Sequence, residues 1–177
     1  HGGSGNHGCE AIVRATADIL HRKKMCLISG RPEEDRLYGL TELCEIIKDK
    51  EEHFNKRSFD FFKACLALRL KKDFIPMDKL QYKKSFSNIS RGDIALSIGG
   101  DNYCYADVNK YIMFHDMLKK RGAKTVFWGC SIEPSVAAKP EIAADLARYD
   151  LICARETISY EALKAVNPNT QLVADPA

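Results

Sequence analysis

The sequence predicts an α/β domain with a mostly parallel, doubly wound sheet of the Rossmann-like kind. From residue 93 onward, strand-like runs and helix-like stripes alternate four times. The runs are continuously apolar, as strands covered on both faces are, and parallel pairing needs a helical crossover between them. Each run also ends in Gly, a polar residue or a charge, at the strand ends where such sheets bind ligands. With 177 residues, 45% hydrophobic and 29% charged, the chain reads as one domain over 1–177 with its own core.

The elements follow in order. The opening loop His1-Gly2-Gly3-Ser4-Gly5-Asn6-His7-Gly8 runs into a helical pattern, and a strand is expected before it. In that helix Ile12, Val13, Ile19 and Leu20 share a face, with Arg14, Asp18, His21 and Arg22 opposite. Met25 to Ser29 is a short apolar run closed by Gly30-Arg31-Pro32, a buried strand and its turn. Residues 31–55 are acidic and weakly patterned.

Residues 56–91 carry ten Lys or Arg against three Asp. Phe59, Phe61, Phe62, Cys65, Leu66 and Leu70 give this basic stretch a broad apolar face. It suits either peripheral contact with a membrane surface or, the reading favoured by its ordinary composition, a helix packed on the sheet with solvated lysines. Beyond it, 93–98 is a strand; Val108, Tyr111, Ile112, His115 and Leu118 form a helix stripe capped by Asp107; and 124–130 is a strand. A helix at 138–147, a strand at 150–154, a helix at 156–164 and a strand at 170–174 complete the pattern.

The formal charge of +3 is too small to argue for nucleic acid as a partner. No apolar run approaches the roughly 18 residues that span a bilayer, and no signal segment is read at the start. Seven cysteines without a CxxC pair, most of them in apolar runs, suit buried reduced thiols and a cytoplasmic location. No metal site is expected, because His7 and Cys9 have no second ligand pair to answer them.

The opening loop joins backbone N–H groups to a helix N-terminus, which makes Gly5, Asn6, His7 and Gly8 candidates for holding a phosphate, carboxylate or sugar hydroxyl. It lacks the Gly-Lys-Ser/Thr of a Walker loop, and its GxGxxG spacing lacks the acidic partner of a dinucleotide site. Gly-Gly-Ser-Gly after His also has the composition of an artificial linker, so residues 1–5 are native or introduced. Glu10 either meets a ligand in the first helical turn or pairs with Arg14. Gly99, Gly100, Asp101 and Asn102 follow a strand and place a close backbone approach beside polar side chains. Gly129 to Pro134 is similar in position. Arg155, directly after a strand, is either an anion clamp or the partner of Glu156 or Glu161. Asp175-Pro176 holds a hydroxyl or ends the sheet.

Taken together, Gly5-Asn6-His7-Gly8-Cys9-Glu10-Ala11-Ile12, Asp93 to Gly100, Gly129-Cys130-Ser131-Ile132-Glu133-Pro134, Arg155-Glu156-Thr157-Ile158-Ser159 and Asp175-Pro176-Ala177 resemble the polysaccharide pyruvyl transferase family in order and spacing. Cys9 and Glu133 depart from it, standing where the family often has Asp and Gly. The resemblance implies two Rossmann-like halves arranged as in GT-B-type glycosyltransferases, this chain being the first and inactive without the second. It implies transfer of the enolpyruvyl carbons of phosphoenolpyruvate, a donor substrate rather than a cofactor, onto two hydroxyls of a polysaccharide or its precursor. A pyruvate ketal of a cell-surface polysaccharide results. The resemblance also places a catalytic His or Arg, and most phosphoenolpyruvate contacts, in the second half. A nucleotide-sugar glycosyltransferase half and a non-enzymatic carbohydrate-binding module are the alternatives. The expected location is cytoplasmic, at the inner membrane face if 56–91 makes contact.

Overall fold

The computed structural model of the chain describes residues 1–21, 24–51, 53, 55–100, 102–104 and 108–177. The described strands are all parallel, but they form two sheets where one was expected. β1 (Cys26–Ser29) pairs with β2 (Glu45–Lys48), Cys26 opposite Glu45. β3 (Ile94–Ser97), β4 (Lys124–Cys130), β5 (Leu151–Ala154) and β6 (Thr170–Leu172) form the second sheet in that order. Among the described residues no ladder joins β1 to β3. The two sheets are held together instead by a shared apolar layer, in which Ile28 of β1 and Ala95 of β3 both pack on Tyr82, Phe86, Met113 and Leu118.

The helices lie on both faces, as a doubly wound fold requires. Phe127 and Trp128 are neighbours on β4 and point to opposite sides. Phe127 is buried among Tyr103, Ile142, Leu146 and Leu163. Trp128 donates from Nε1 to Thr16 Oγ1, at 3.0 Å, on α1 (His7–Ile19). α5 (Val108–Lys120), α7 (Pro140–Leu146) and α8 (Thr157–Val166) surround the first of these faces.

Several expected elements are corrected. The buried face of α1 is Ile12, Val13, Thr16 and Ala17; Ile19 is exposed because it ends the helix, and Leu20 is already the C-cap. The weakly patterned stretch after β1 holds α2 (Pro32–Leu37) and β2, whose two Ile are flanked by Glu45 and Lys48 and so give little strand signal. The helix expected at 138–147 is present as α7, starting at Pro140, and a short α6 (Pro134–Ala137) not expected from the sequence precedes it; each has Pro in its first turn, where the missing N–H costs nothing. The basic stretch forms α3 (Phe59–Lys71) and α4 (Ile75–Tyr82). α3 packs on α4, and Phe59, Phe62, Leu66 and Leu70 remain exposed, so the favoured expectation of a helix seated on the sheet does not hold. Cys26 and Cys104 are exposed, whereas Cys44, Cys130 and Cys153 are buried; all seven thiols are free. The expected cap Asp107 lies outside the described residues.

Candidate functional site

The carboxyl ends of β3, β4 and β5 converge on one group of polar residues. Past β3 the chain turns through Gly99 (φ +120°) and Gly100 (φ +64°), conformations that side chains other than Gly rarely adopt. Asn102 folds back beneath this turn, donating from Nδ2 to the Ile98 carbonyl at 3.2 Å. A Cβ on Gly100 would stand 3.3 Å from the Arg155 guanidinium, so the absence of a side chain is what lets the arginine lie over the turn. Asp101 lies outside the described residues.

β4 reaches the same place through an irregularity. Phe127 is opposite Ile152 while Cys130 is opposite Ala154, so β4 carries one extra residue in a bulge that contains Gly129 at φ +59°. The bulge re-aims Ser131, whose N–H donates to the Gly100 carbonyl at 2.6 Å. Arg155, the first residue after β5, then bridges the group. Its Nε donates to Ser131 Oγ at 2.7 Å and its Nη1 to Asp175 Oδ2 at 3.1 Å. Asp175, after β6, is the carboxylate that holds Arg155; neither Glu156 nor Glu161 does. Among the described residues Nη2 takes no hydrogen bond. The result is a partly exposed guanidinium fixed on two edges and open on the third, a geometry suited to a carboxylate or phosphate.

The Gly-rich loop borders this group through a small cleft lined by His1, Gly2, Cys9, Ile12, Ile98 and Gly99. The loop's own donors are largely engaged within the chain. Gly5 N–H donates to Glu34 Oε2 at 3.1 Å, and Asn6 Oδ1 caps α1 by accepting from Gly8 N–H and, more loosely, Cys9 N–H. Ser4 Oγ donates to buried Asp35 Oδ1 at 2.6 Å. Two acidic residues of α2 therefore hold the loop, and a carboxylate already lies where an anion was expected. The three acids of this first turn, after a strand and Pro32, were the sequence signal for it.

His7 and Glu10 face away from the cleft. Glu10 accepts from Arg14 Nε at 2.8 Å and lies 3.2 Å from His7 Nδ1, while His7 meets the Tyr38 ring edge-on. Arg14, and after it His7, hold the Glu10 carboxyl below the usual range, so it is a carboxylate at neutral pH. The pairing of Glu10 with Arg14 is thus realised. Asn6, His7 and Gly8 are exposed at the start of α1, and among the described candidate residues Gly99, Gly100 and Asn102 share a turn with the Arg155 group.

A second polar cluster lies below the sheet and is enclosed. His115 Nδ1 is 2.9 Å from Asp145 Oδ1 and its Nε2 is 3.0 Å from Thr125 Oγ1, with the ring stacked on Tyr149. Tyr103 donates to Asp145 Oδ2 at 2.5 Å. Every member is buried, so the cluster joins α5 and α7 to β4 rather than meeting a substrate. Burial pushes the Cys130 thiol up to about 12, leaving it an inert thiol at the strand end. Among the described residues no three His, Cys, Asp or Glu side chains converge as a metal site would need.

The family model for polysaccharide pyruvyl transferase matches residues 6–177, from the N-cap of α1 through every strand-end segment just described. The chain belongs to the polysaccharide pyruvyl transferase family. Membership gives it a transferase role, pyruvyl transfer in polysaccharide biosynthesis. No curated protein and no solved structure matches it. The strand-end turns at Gly99, Gly129 and Arg155 are thus segments of a pyruvyl transferase, in a parallel α/β frame consistent with a Rossmann-like fold. No described helix is long and apolar enough to cross a membrane.

Proposed function

We propose that the protein transfers the enolpyruvyl group of phosphoenolpyruvate to a sugar of a polysaccharide or its precursor, forming a cyclic pyruvate ketal, and that Arg155 holds an anionic group of the reactants. Membership of the family supports the pyruvyl chemistry. The observation that carries the site is the Arg155 guanidinium, fixed by Ser131 and Asp175 with one edge open over Gly100.

Protonation of the donor's methylene carbon makes a methyl group and leaves an oxocarbenium-like centre. A first sugar hydroxyl adds to that centre, the C–O bond to phosphate breaks, and a second hydroxyl closes the ring. One hydroxyl proton replaces the proton spent on the methyl group, and the other leaves with the phosphate. Such a reaction needs an acid and a fixed cation for the carboxylate or the departing phosphate. Arg155 fits the second requirement, because its orientation is set before a ligand arrives. The Gly99–Gly100 turn and Asn102 supply a close backbone approach beside it. The catalytic acid is assigned to no residue of this chain.

The test is phosphate release from phosphoenolpyruvate by the protein in its full natural length, against a panel of sugars and nucleotide sugars. Sugar-dependent release supports the reading. Consumption of a nucleotide sugar with phosphoenolpyruvate untouched overturns it in favour of glycosyl transfer. Sugar binding without turnover of either donor overturns it in favour of a binding module.

A further inference from the structure

The outer face of α3 carries an uncovered apolar stripe. Phe59, Phe62, Leu66 and Leu70 follow one another in steps of three, four and four residues, which at 3.6 residues per turn places them in one row along the helix. Phe74, beyond the left-handed C-cap Lys72 and at the start of α4, is exposed as well. Their exposures are 69%, 63%, 47%, 71% and 63%. On the opposite side Ala64 is fully buried, so α3 has an inner face and leaves this second apolar face open. Four large side chains in one row on α3 form an apolar face, unlike the scattered single apolar residues of an ordinary surface.

The charges around the stripe select its occupant. Lys56, Arg57, Lys63, Arg69, Lys71 and Lys72 are all exposed on or beside α3, and the Lys63 ammonium lies 4.5 Å from the Phe59 ring centroid. The acids nearby are engaged: Asp60 with Lys83 Nζ at 2.9 Å, and Asp73 Oδ1 with the Ile75 N–H at 3.0 Å. Residues 56–91 hold ten Lys or Arg against three Asp, while the rest of the chain holds 17 against 21 Asp or Glu. The positive charge of the molecule is therefore gathered where its apolar surface is open. Phenylalanine and leucine flanked by long basic side chains, which keep their charged ends in water as their stems follow the apolar side chains, are what an anionic bilayer surface accommodates. An acidic apolar protein groove would match the charge too, and it would show in the test below as failure to bind anionic vesicles.

From these observations we infer that the outer face of α3 docks the protein on an anionic lipid surface, with Phe59, Phe62, Leu66, Leu70 and Phe74 entering the headgroup boundary and the surrounding lysines and arginines meeting lipid phosphates. The helix lies on the bilayer and does not cross it.

Flotation of the full-length protein with vesicles of equal parts phosphatidylglycerol and phosphatidylcholine, against phosphatidylcholine alone, tests this. Binding is expected only to the anionic vesicles, and it should weaken as salt approaches about 1 M, where the Debye length is about 3 Å. Replacing Phe62, Leu66 and Leu70 together by Ser should lower binding at least about ten-fold. Lys63→Gln and Lys71→Gln should each lower it about five-fold. All five residues are exposed, and an unchanged circular dichroism melt verifies that the variants fold. Failure to bind anionic vesicles, equal binding to neutral ones, or binding unaffected by the triple change overturns the inference. A dimer in gel filtration that the triple change dissolves also overturns it, by giving the stripe to a second copy.

Discussion

The Arg155 guanidinium makes two hydrogen bonds to its own chain and leaves its third edge open, so its replacement separates structure from function. The ion pair with Asp175 is partly exposed, and pairs of that kind contribute about 0–1 kcal/mol. Arg155→Lys keeps the charge but loses the planar fork. Its unfolding free energy in urea is expected to stay within about 1 kcal/mol of the parent, while phosphate release from phosphoenolpyruvate falls about 100-fold or more. A large stability loss with activity retained would give Arg155 to the scaffold instead. Gly129 is the reverse case. Its φ is +59° and a Cβ there would come within 2.5 Å of the Pro176 ring, so Gly129→Ala adds backbone strain and a clash together. Equilibrium urea unfolding should show a loss of about 2–4 kcal/mol. The sequence marked Arg155 and the double glycine because a charge or a flexible turn after an apolar run is visible locally. The Asp175 partnership was not visible, since it joins residues 20 apart through two strand ends.

At the scale of elements, two carboxylates beside β4 set the acid response, Asp150 just before β5 and Asp145 on α7. Burial alone would lift Asp150, but the Thr125 N–H and then Lys119 and Lys124 outweigh it and hold the carboxyl far below its usual range. Burial also opposes ionisation of Asp145, and hydrogen bonds from His115, Tyr103 and Arg148 outweigh it in turn. A carboxyl depressed in the folded state stays ionised there while the unfolded chain, with an ordinary value of about 3.9, takes up its proton. The stability these groups contribute is whole above about pH 4 and is lost as pH falls toward their folded values. Asp150→Asn should therefore cost about 1–3 kcal/mol in urea at pH 7, and the gap to the parent should close as the titration is repeated toward pH 2. A gap independent of pH would mean that packing, not charge, is what the carboxylate supplies. The strands of this sheet were legible because continuous apolar runs bury both faces. β2 was not, because Ile46 and Ile47 are its whole apolar content, and α3 was misjudged because its apolar residues circle the helix, so pattern alone could not say which side is covered. The break before α7 did have a signal in Pro140, whose ring disfavours helix at Lys139.

For the molecule as a whole, the two sheets, with no ladder between them among the described residues, are expected to fold as one. The apolar layer of Tyr82, Phe86, Met113 and Leu118 touches both, and the Trp128 to Thr16 hydrogen bond ties β4 to α1 across 112 residues of sequence. Ile98, following β3, also packs into the cluster of Val13, Leu27 and Leu40 that covers β1. These contacts span both sheets, so a single cooperative transition is expected. The protein has one tryptophan, and its fluorescence reports on β4 alone, whereas far-ultraviolet circular dichroism reports on all elements. Thr16→Val keeps the shape of a buried side chain but leaves the Trp128 N–H without its partner, at a cost of about 1–3 kcal/mol. The urea transitions seen by fluorescence and by circular dichroism should coincide in the parent and shift together in the variant. If the fluorescence transition moves while part of the circular dichroism transition stays, the β1–β2 sheet with α1 and α2 unfolds separately. The Gly-rich loop would then open independently of the Arg155 group, and the cleft between His1, Cys9 and Gly99 would be the boundary between two cooperative units.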